Sequence, residues 1–121
     1  MGNQISETIQ DGEFLYRGVV ALQWDDEENR PSSAIYRDSL GVSVDRDAGR
    51  SEDDCVKALK ERKEFYAICR ILTSDVRDSG AIALYKPLKD NIYHSEIHDS
   101  AEKAELTRGK ARKLLGKSEV I

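Results

Sequence analysis

Both histidines of the chain stand in one short run, Tyr93-His94-Ser95-Glu96-Ile97-His98, with a carboxylate between them. Read as a strand, the run puts His94, Glu96 and His98 on one face with successive side chains about 7 Å apart. At that spacing neighbouring ligands can converge on a metal ion, and Asp99 can stand in for one of them. The plainer reading is a polar outward face on an edge strand. We expect no metal, with His94, Glu96 and His98 as the alternative ligand set.

A second set is dispersed along the chain. Arg17 interrupts Leu15-Tyr16-Arg17-Gly18; Ser43, Asp45 and Arg46 lie in Gly41-Val42-Ser43-Val44-Asp45-Arg46; His94 and Glu96 follow much later. Polar residues that interrupt several core-like strands together read as one site. A guanidinium grips a carboxylate or phosphate in a forked contact. The expectation is a pocket for a small anionic or nucleotide ligand, bound by Arg17, Ser43, Asp45 and Arg46, with His94 and Glu96 as the catalytic candidates. The bland counterpart is a buried ion pair between Arg17 and Asp45.

The order Arg17, Ser43, Glu96 resembles the ADP-ribosyltransferase group, in which an arginine on an early strand, a serine on a middle strand and a late glutamate surround NAD. The resemblance implies that Arg17 positions an anion and the ribose, that Ser43 orders the pocket, that Glu96 promotes transfer, and that NAD is the cofactor. A carboxylate so placed stabilises positive charge developing at the reacting sugar. The sequence departs from the family in having Asp45 at the third place of its Ser-x-Ser signature and no second glutamate paired with Glu96. The wider pattern, Phe14-Leu15-Tyr16-Arg17, Arg30-Pro31-Ser32-Ser33-Ala34 and Gly41 to Arg46, also resembles small bacterial proteins without an assigned function.

Other chemistries lack their motifs. The chain has no glycine-rich phosphate loop, no Gly-x-Ser-x-Gly elbow and no cysteine beside a histidine, which sets aside nucleotide-kinase and serine-hydrolase readings. Cys55 and Cys69 form no Cys-x-x-Cys pair and read as small buried hydrophobes. The tyrosines are spread over candidate core strands and read as core.

The elements that must position these residues follow from periodicity. Strands are expected over 13–20, 41–46, 65–72, 81–85 and 91–98, where apolar and polar residues alternate or β-formers cluster. Ser51 before Glu52, Asp53 and Asp54 predicts a helix to about Lys63. Ser100 before Ala101 predicts another to about Leu115, closed by Gly116. Ser32 or Ser33 caps a short helix through Ala34, Ile35 and Tyr36, which Gly41 closes. The stretch Thr73 to Gly80 reads as a polar turn joining two strands of a hairpin, and a buried Arg70 would need an acidic partner. The expected architecture is one α+β domain over 1–121, with a mainly antiparallel sheet of about five strands, two main helices packed on it, and a flexible segment over 1–12.

Charge narrows the partners. Among 121 residues, 19 are basic and 23 acidic. Residues 1–56 hold thirteen acids and five bases, all arginine, while residues 57–121 hold ten acids and fourteen bases. An acidic first half lacks the continuous basic surface that nucleic-acid binding requires. No apolar run approaches a membrane span and the start lacks signal-peptide character, so a cytoplasmic protein without membrane contact is expected. The opening Met1 to Ser6 matches the acylation pattern at Gly2, although Glu7, Asp11 and Glu13 follow where lysines would meet lipid. The competing functional class is a non-catalytic interaction module that docks through an exposed acidic loop over 23–31, led by Trp24, on a basic partner.

Overall fold

The computed structural model describes residues 5–121. Alternation builds its centre. In β1 (Phe14–Val19), Leu15 and Val19 point to one face of the sheet and Tyr16 to the other. The strand pairs on one side with β4 (Val42–Arg46) and on the other with β5 (Ala67–Leu72), both antiparallel. β7 (His94–His98) adds to β4, β6 (Ile82–Tyr85) to β7, and the short β8 (Glu119–Val120) to β5. The result is a six-stranded antiparallel sheet in the order β6-β7-β4-β1-β5-β8. The α+β class therefore holds, with one strand more than the alternation suggested.

The two faces are covered unequally. On the first, Leu15, Val19, Val42, Val44, Cys69, Ile71 and Ile97 pack under the 3-10 turn Ser33–Tyr36, α2 (Thr73–Asp78) and α3 (Arg108–Lys117). On the second, Tyr16 and Ile68 meet only Cys55 and Leu59 of α1 (Glu52–Arg62), flanked by Phe14, Val56 and Phe65. α1 begins as expected: the Ser51 hydroxyl accepts from the Asp54 amide at 3.1 Å, and three acids occupy its first turn. Its apolar packing ends over β1 and β5. The second faces of β4 and β7 are left with Ser43, Asp45, His94 and Glu96.

Several expectations change. The last helix starts at Arg108, capped by Thr107, whose hydroxyl accepts from the Lys110 amide at 3.3 Å. Ser100 caps only a turn, accepting from the Glu102 and Lys103 amides at 3.3 and 3.2 Å. Thr73–Asp78 is a helix rather than part of a turn, anchored by buried Val76 and followed by a turn at Ser79 and Gly80, where Gly80 takes φ +87°. It carries the chain away from β5, so β6 pairs with β7 across the sheet and forms no hairpin with β5. The short helix ends at Tyr36 with Arg37 as its cap, and Gly41, at φ +101°, leads into β4. Arg70 is half-buried and pairs with Glu52 and Glu119.

Two segments of polar composition make contact with the core. Within 5–12, Ile9 is 2 % exposed in the main core, while 6–8 and 10–12 are exposed. The stretch 23–31 forms a small hairpin of β2 (Trp24–Asp25) and β3 (Arg30–Pro31). Trp24 is not exposed: its ring lies 5.2 Å from that of Tyr66 and packs on the core, while Asp26, Glu27 and Glu28 face solvent. Among the described residues no helix is long and apolar enough to cross a membrane. Gly2 lies outside them.

Candidate functional site

The site begins where the sheet opens. β1 and β4 pair only through Leu15 with Arg46 and Tyr16 with Asp45; beyond these, β1 continues along β5 and β4 along β7. The strands part beyond Tyr16 and Asp45, leaving ladder groups in need of partners. Arg17 shares the parity of Leu15 and Val19, so its side chain leaves β1 on the first face and its guanidinium reaches the gap from there. Its Nε donates to the Ile35 carbonyl at 3.1 Å and its Nη1 to the Ser43 carbonyl at 2.9 Å, while Nη2 has no hydrogen-bond partner among the described residues. Burial draws the guanidinium's pKa below its ordinary value, and Asp38 opposes this only through space. No carboxylate among the described residues forms an ion pair with Arg17. Asp45 does not serve it.

Over this gap lies a cleft of about 310 Å³. Leu59 at the end of α1, Phe65 and Leu88 supply apolar wall; Arg17, Ser43 and His94 supply polar wall. Gly18 is required at the base, because a Cβ there would stand 2.3 Å from the Phe65 ring. Asp90 sits exposed on the rim. Asp45, 3 % exposed, is fully engaged: Arg62 Nη2 lies 2.6 Å from its Oδ2 and Asn91 Nδ2 donates to its Oδ1 at 2.9 Å. That pair ties α1 to the segment before β7. Arg62 and Asn91 are site residues that motif reading passed over, since each is recognisable only once α1 and β7 are seen against β4.

His94 faces Ser43 diagonally across the β4–β7 ladder, where directly paired residues are Asp45 with His94 and Ser43 with Glu96. The imidazole Nδ1 lies 2.8 Å from the Lys86 carbonyl, and Nε2 lies 3.3 Å from Ser43 Oγ. A carbonyl only accepts, so Nδ1 carries the proton. In the neutral ring Nε2 then presents its lone pair to the Ser43 hydroxyl, which donates. The arrangement is a hydroxyl, a base and a group that fixes the base's tautomer.

Glu96 shares the face but turns elsewhere. His98 Nε2 donates to its Oε1 at 2.8 Å, and Lys86 Nζ lies 4.0 Å from the same oxygen. Gly41 makes room for this pair, as a Cβ there would meet His98 Nε2 at 2.5 Å. Glu96 therefore lies outside the cleft lining. The alternative metal set does not assemble either: His94 is directed at Ser43 and Lys86 while His98 holds Glu96, and no group of three or more possible ligands forms among the described residues.

Arg46 is removed from the site altogether. Its parity is that of Val42 and Val44, so it points into the main core, where it is 2 % exposed. Glu13 receives its Nε and Nη2 at 2.9 and 2.7 Å, the Ser6 and Thr8 carbonyls accept from Nη1 and Nη2, and the Tyr85 ring stacks on it at 4.7 Å. It fastens the N-terminal segment rather than a ligand.

Comparison with protein-family models, curated proteins and solved structures finds no match. The resemblance to ADP-ribosyltransferases rests on Arg17, Ser43 and Glu96 alone.

Proposed function

We propose that the cleft binds a small organic anion, a carboxylate or phosphate ester with an apolar body. One observation carries this reading: Arg17 is a half-buried cation lining the cleft, with an unengaged Nη2 and no carboxylate partner among the described residues. A charge withdrawn from water without a counterion is costly, and an entering anion relieves that cost with charge-assisted hydrogen bonds. Arg62, by contrast, is neutralised by Asp45. Leu59, Phe65 and Leu88 offer the apolar body a surface to cover.

The same geometry argues for a small ligand rather than NAD. A cleft of about 310 Å³ stands at the low end of small-molecule sites. Glu96, which would have to reach the reacting sugar, is held by His98 outside the lining. The residues present do not fit the dinucleotide.

The test is titration with phenyl phosphate and, separately, benzoate while recording the Arg17 Nε–H resonance in 15N-labelled protein. A saturable shift confined to Arg17 and cleft amides is expected for at least one probe, and the better probe tells phosphate from carboxylate. Arg17→Lys keeps the charge but loses the fork, and affinity should fall about tenfold. No saturable shift with either probe at millimolar concentration would refute the reading.

A further inference from the structure

From the geometry around Ser43 we infer that the cleft is a nucleophilic centre that cleaves esters of small carboxylic acids, with Ser43 as nucleophile and His94 as general base. The inference rests on the reading of the cleft as a small-molecule site and adds a reaction to it. Three observations converge. Ser43 is exposed, and its hydroxyl lies 3.3 Å from His94 Nε2, a contact of the loose kind that tightens when substrate is bound. His94 is locked in the tautomer that accepts a proton at Nε2, because the Lys86 carbonyl takes Nδ1–H at 2.8 Å. This carbonyl supplies the positioning part of a triad carboxylate's role: it orients the ring and fixes its tautomer. Finally, Arg17 Nη1 donates to the main-chain carbonyl of Ser43 at 2.9 Å, which puts a fixed positive charge close to the nucleophile's backbone, of the kind that stabilises a developing oxyanion.

The step balances without any further reactant than water. Ser43 Oγ adds to the ester carbonyl carbon as its proton passes to His94 Nε2, and the carbonyl oxygen becomes an oxyanion near Arg17. The carbonyl re-forms, the C–O bond to the leaving alcohol breaks, and His94 returns its proton to that oxygen. Water then adds to the acyl-serine with His94 again as base, releasing the acid and restoring the hydroxyl. No oxidant or reductant is involved. The absence of a Gly-x-Ser-x-Gly elbow does not bear on this centre, since the serine stands on a strand and the base comes from a neighbouring strand.

Diisopropyl fluorophosphate tests the nucleophile directly: the serine oxygen bonds to phosphorus, fluoride departs, and His94 takes the proton. Wild type should gain one diisopropylphosphoryl group, mapped to Ser43 by peptide mass spectrometry. Ser43→Ala should gain none. His94→Gln should be labelled at least about 100-fold more slowly, the size of general-base assistance. Circular dichroism establishes that both variants are folded. In parallel, p-nitrophenyl acetate should give a burst of one p-nitrophenolate per chain that Ser43→Ala abolishes.

The arms separate the two readings. An unlabelled Ser43, a label elsewhere, or labelling of His94→Gln at the wild-type rate overturns the nucleophile. If phenyl phosphate still shifts the Arg17 resonance in that case, the anion cleft survives without it. Labelling of Ser43 with no phenyl phosphate response supports the nucleophile and removes the anion reading.

Discussion

Replacing Glu13 by glutamine should be among the most damaging single changes in the molecule, although it lies outside the cleft. Glu13 is 8 % exposed and Arg46 2 %. Its carboxylate accepts from Arg46 Nε and Nη2 at 2.9 and 2.7 Å, from the Gln10 amide at 2.6 Å and from the Ala48 amide at 3.0 Å. All four donors require an acceptor, and a glutamine amide presents one oxygen and a donor group to them. Arg46 would then stay buried with no counter-charge. Breaking one side of such a pair costs about 3–5 kcal/mol, a loss of roughly 10–20 °C in Tm for a domain of this size.

Thermal and urea unfolding measure this, and pH supplies the internal control. Burial alone would raise the Glu13 pKa, but the Arg46 hydrogen bonds and the Gln10 and Ala48 amides outweigh it, leaving the carboxyl below its ordinary 4.5. A depressed folded pKa contributes stability that is complete above the unfolded value and is lost as pH falls through the folded one. The gap between wild type and Glu13→Gln should therefore be full at pH 7 and shrink below about pH 4.5. Arg46→Met with Glu13→Leu should recover part of the loss, because an apolar pair leaves no orphaned charge. A Glu13→Gln variant within about 1 kcal/mol of wild type at pH 7 would refute the argument. So would a gap that does not change with acid.

Gly18→Ala should cost about 1–3 kcal/mol and weaken phenyl phosphate binding, since its Cβ would displace the Phe65 ring from the cleft wall; denaturant titration and the Arg17 resonance read the two effects. Cys55 and Cys69 are buried with pKa values pushed up to about 11 by desolvation, so at pH 8 a disulfide reagent should modify them only as fast as the fold opens, and in full after denaturation. Charge reversal of Asp26, Glu27 and Glu28 should leave stability within about 0.5 kcal/mol, as all three side chains face solvent, and should leave the Arg17 titration unchanged.

Much of the framework was legible because it is written in local chemistry. Val42 and Val44 alternate with Ser43 and Asp45, and Ser51 precedes three acids; each pattern has one good physical solution, and the structure adopts it. Arg17, Ser43, Asp45 and His94 were legible as a group because polar residues on buried strands need a reason, and all four line one cleft. Arg46 was misassigned although its parity, shared with Val42 and Val44, was available. The helix start at Arg108 was ambiguous for a physical reason: Ser100 and Thr107 are both cap residues, both cap something, and only tertiary packing of Leu106 and Ala111 decides which cap starts a helix. The pairing of β6 with β7 depends on where α2 delivers the chain. The orientation of His94 depends on a backbone carbonyl, which no residue type announces.

The position of the cleft follows from unequal coverage of a single sheet. α2 and α3 close one face, whereas the apolar side of α1 covers β1 and β5 on the other and reaches β4 only through Arg62 and Asp45, so the second faces of β4 and β7 carry polar groups. Where β1 and β4 part, backbone groups lose their ladder partners, and Arg17 supplies donors in their place. One side chain thus closes the opening and charges it. Removing Arg17 would leave the Ile35 and Ser43 carbonyls short of donors at a cost of about 1–3 kcal/mol, whatever its role toward a ligand. Stability and anion affinity are coupled through the same guanidinium. An anion that engages Nη2 should therefore stabilise the junction of β1 with β4, and hydrogen exchange of the Ser43 and Val44 amides should slow on binding more than that of the distant β8.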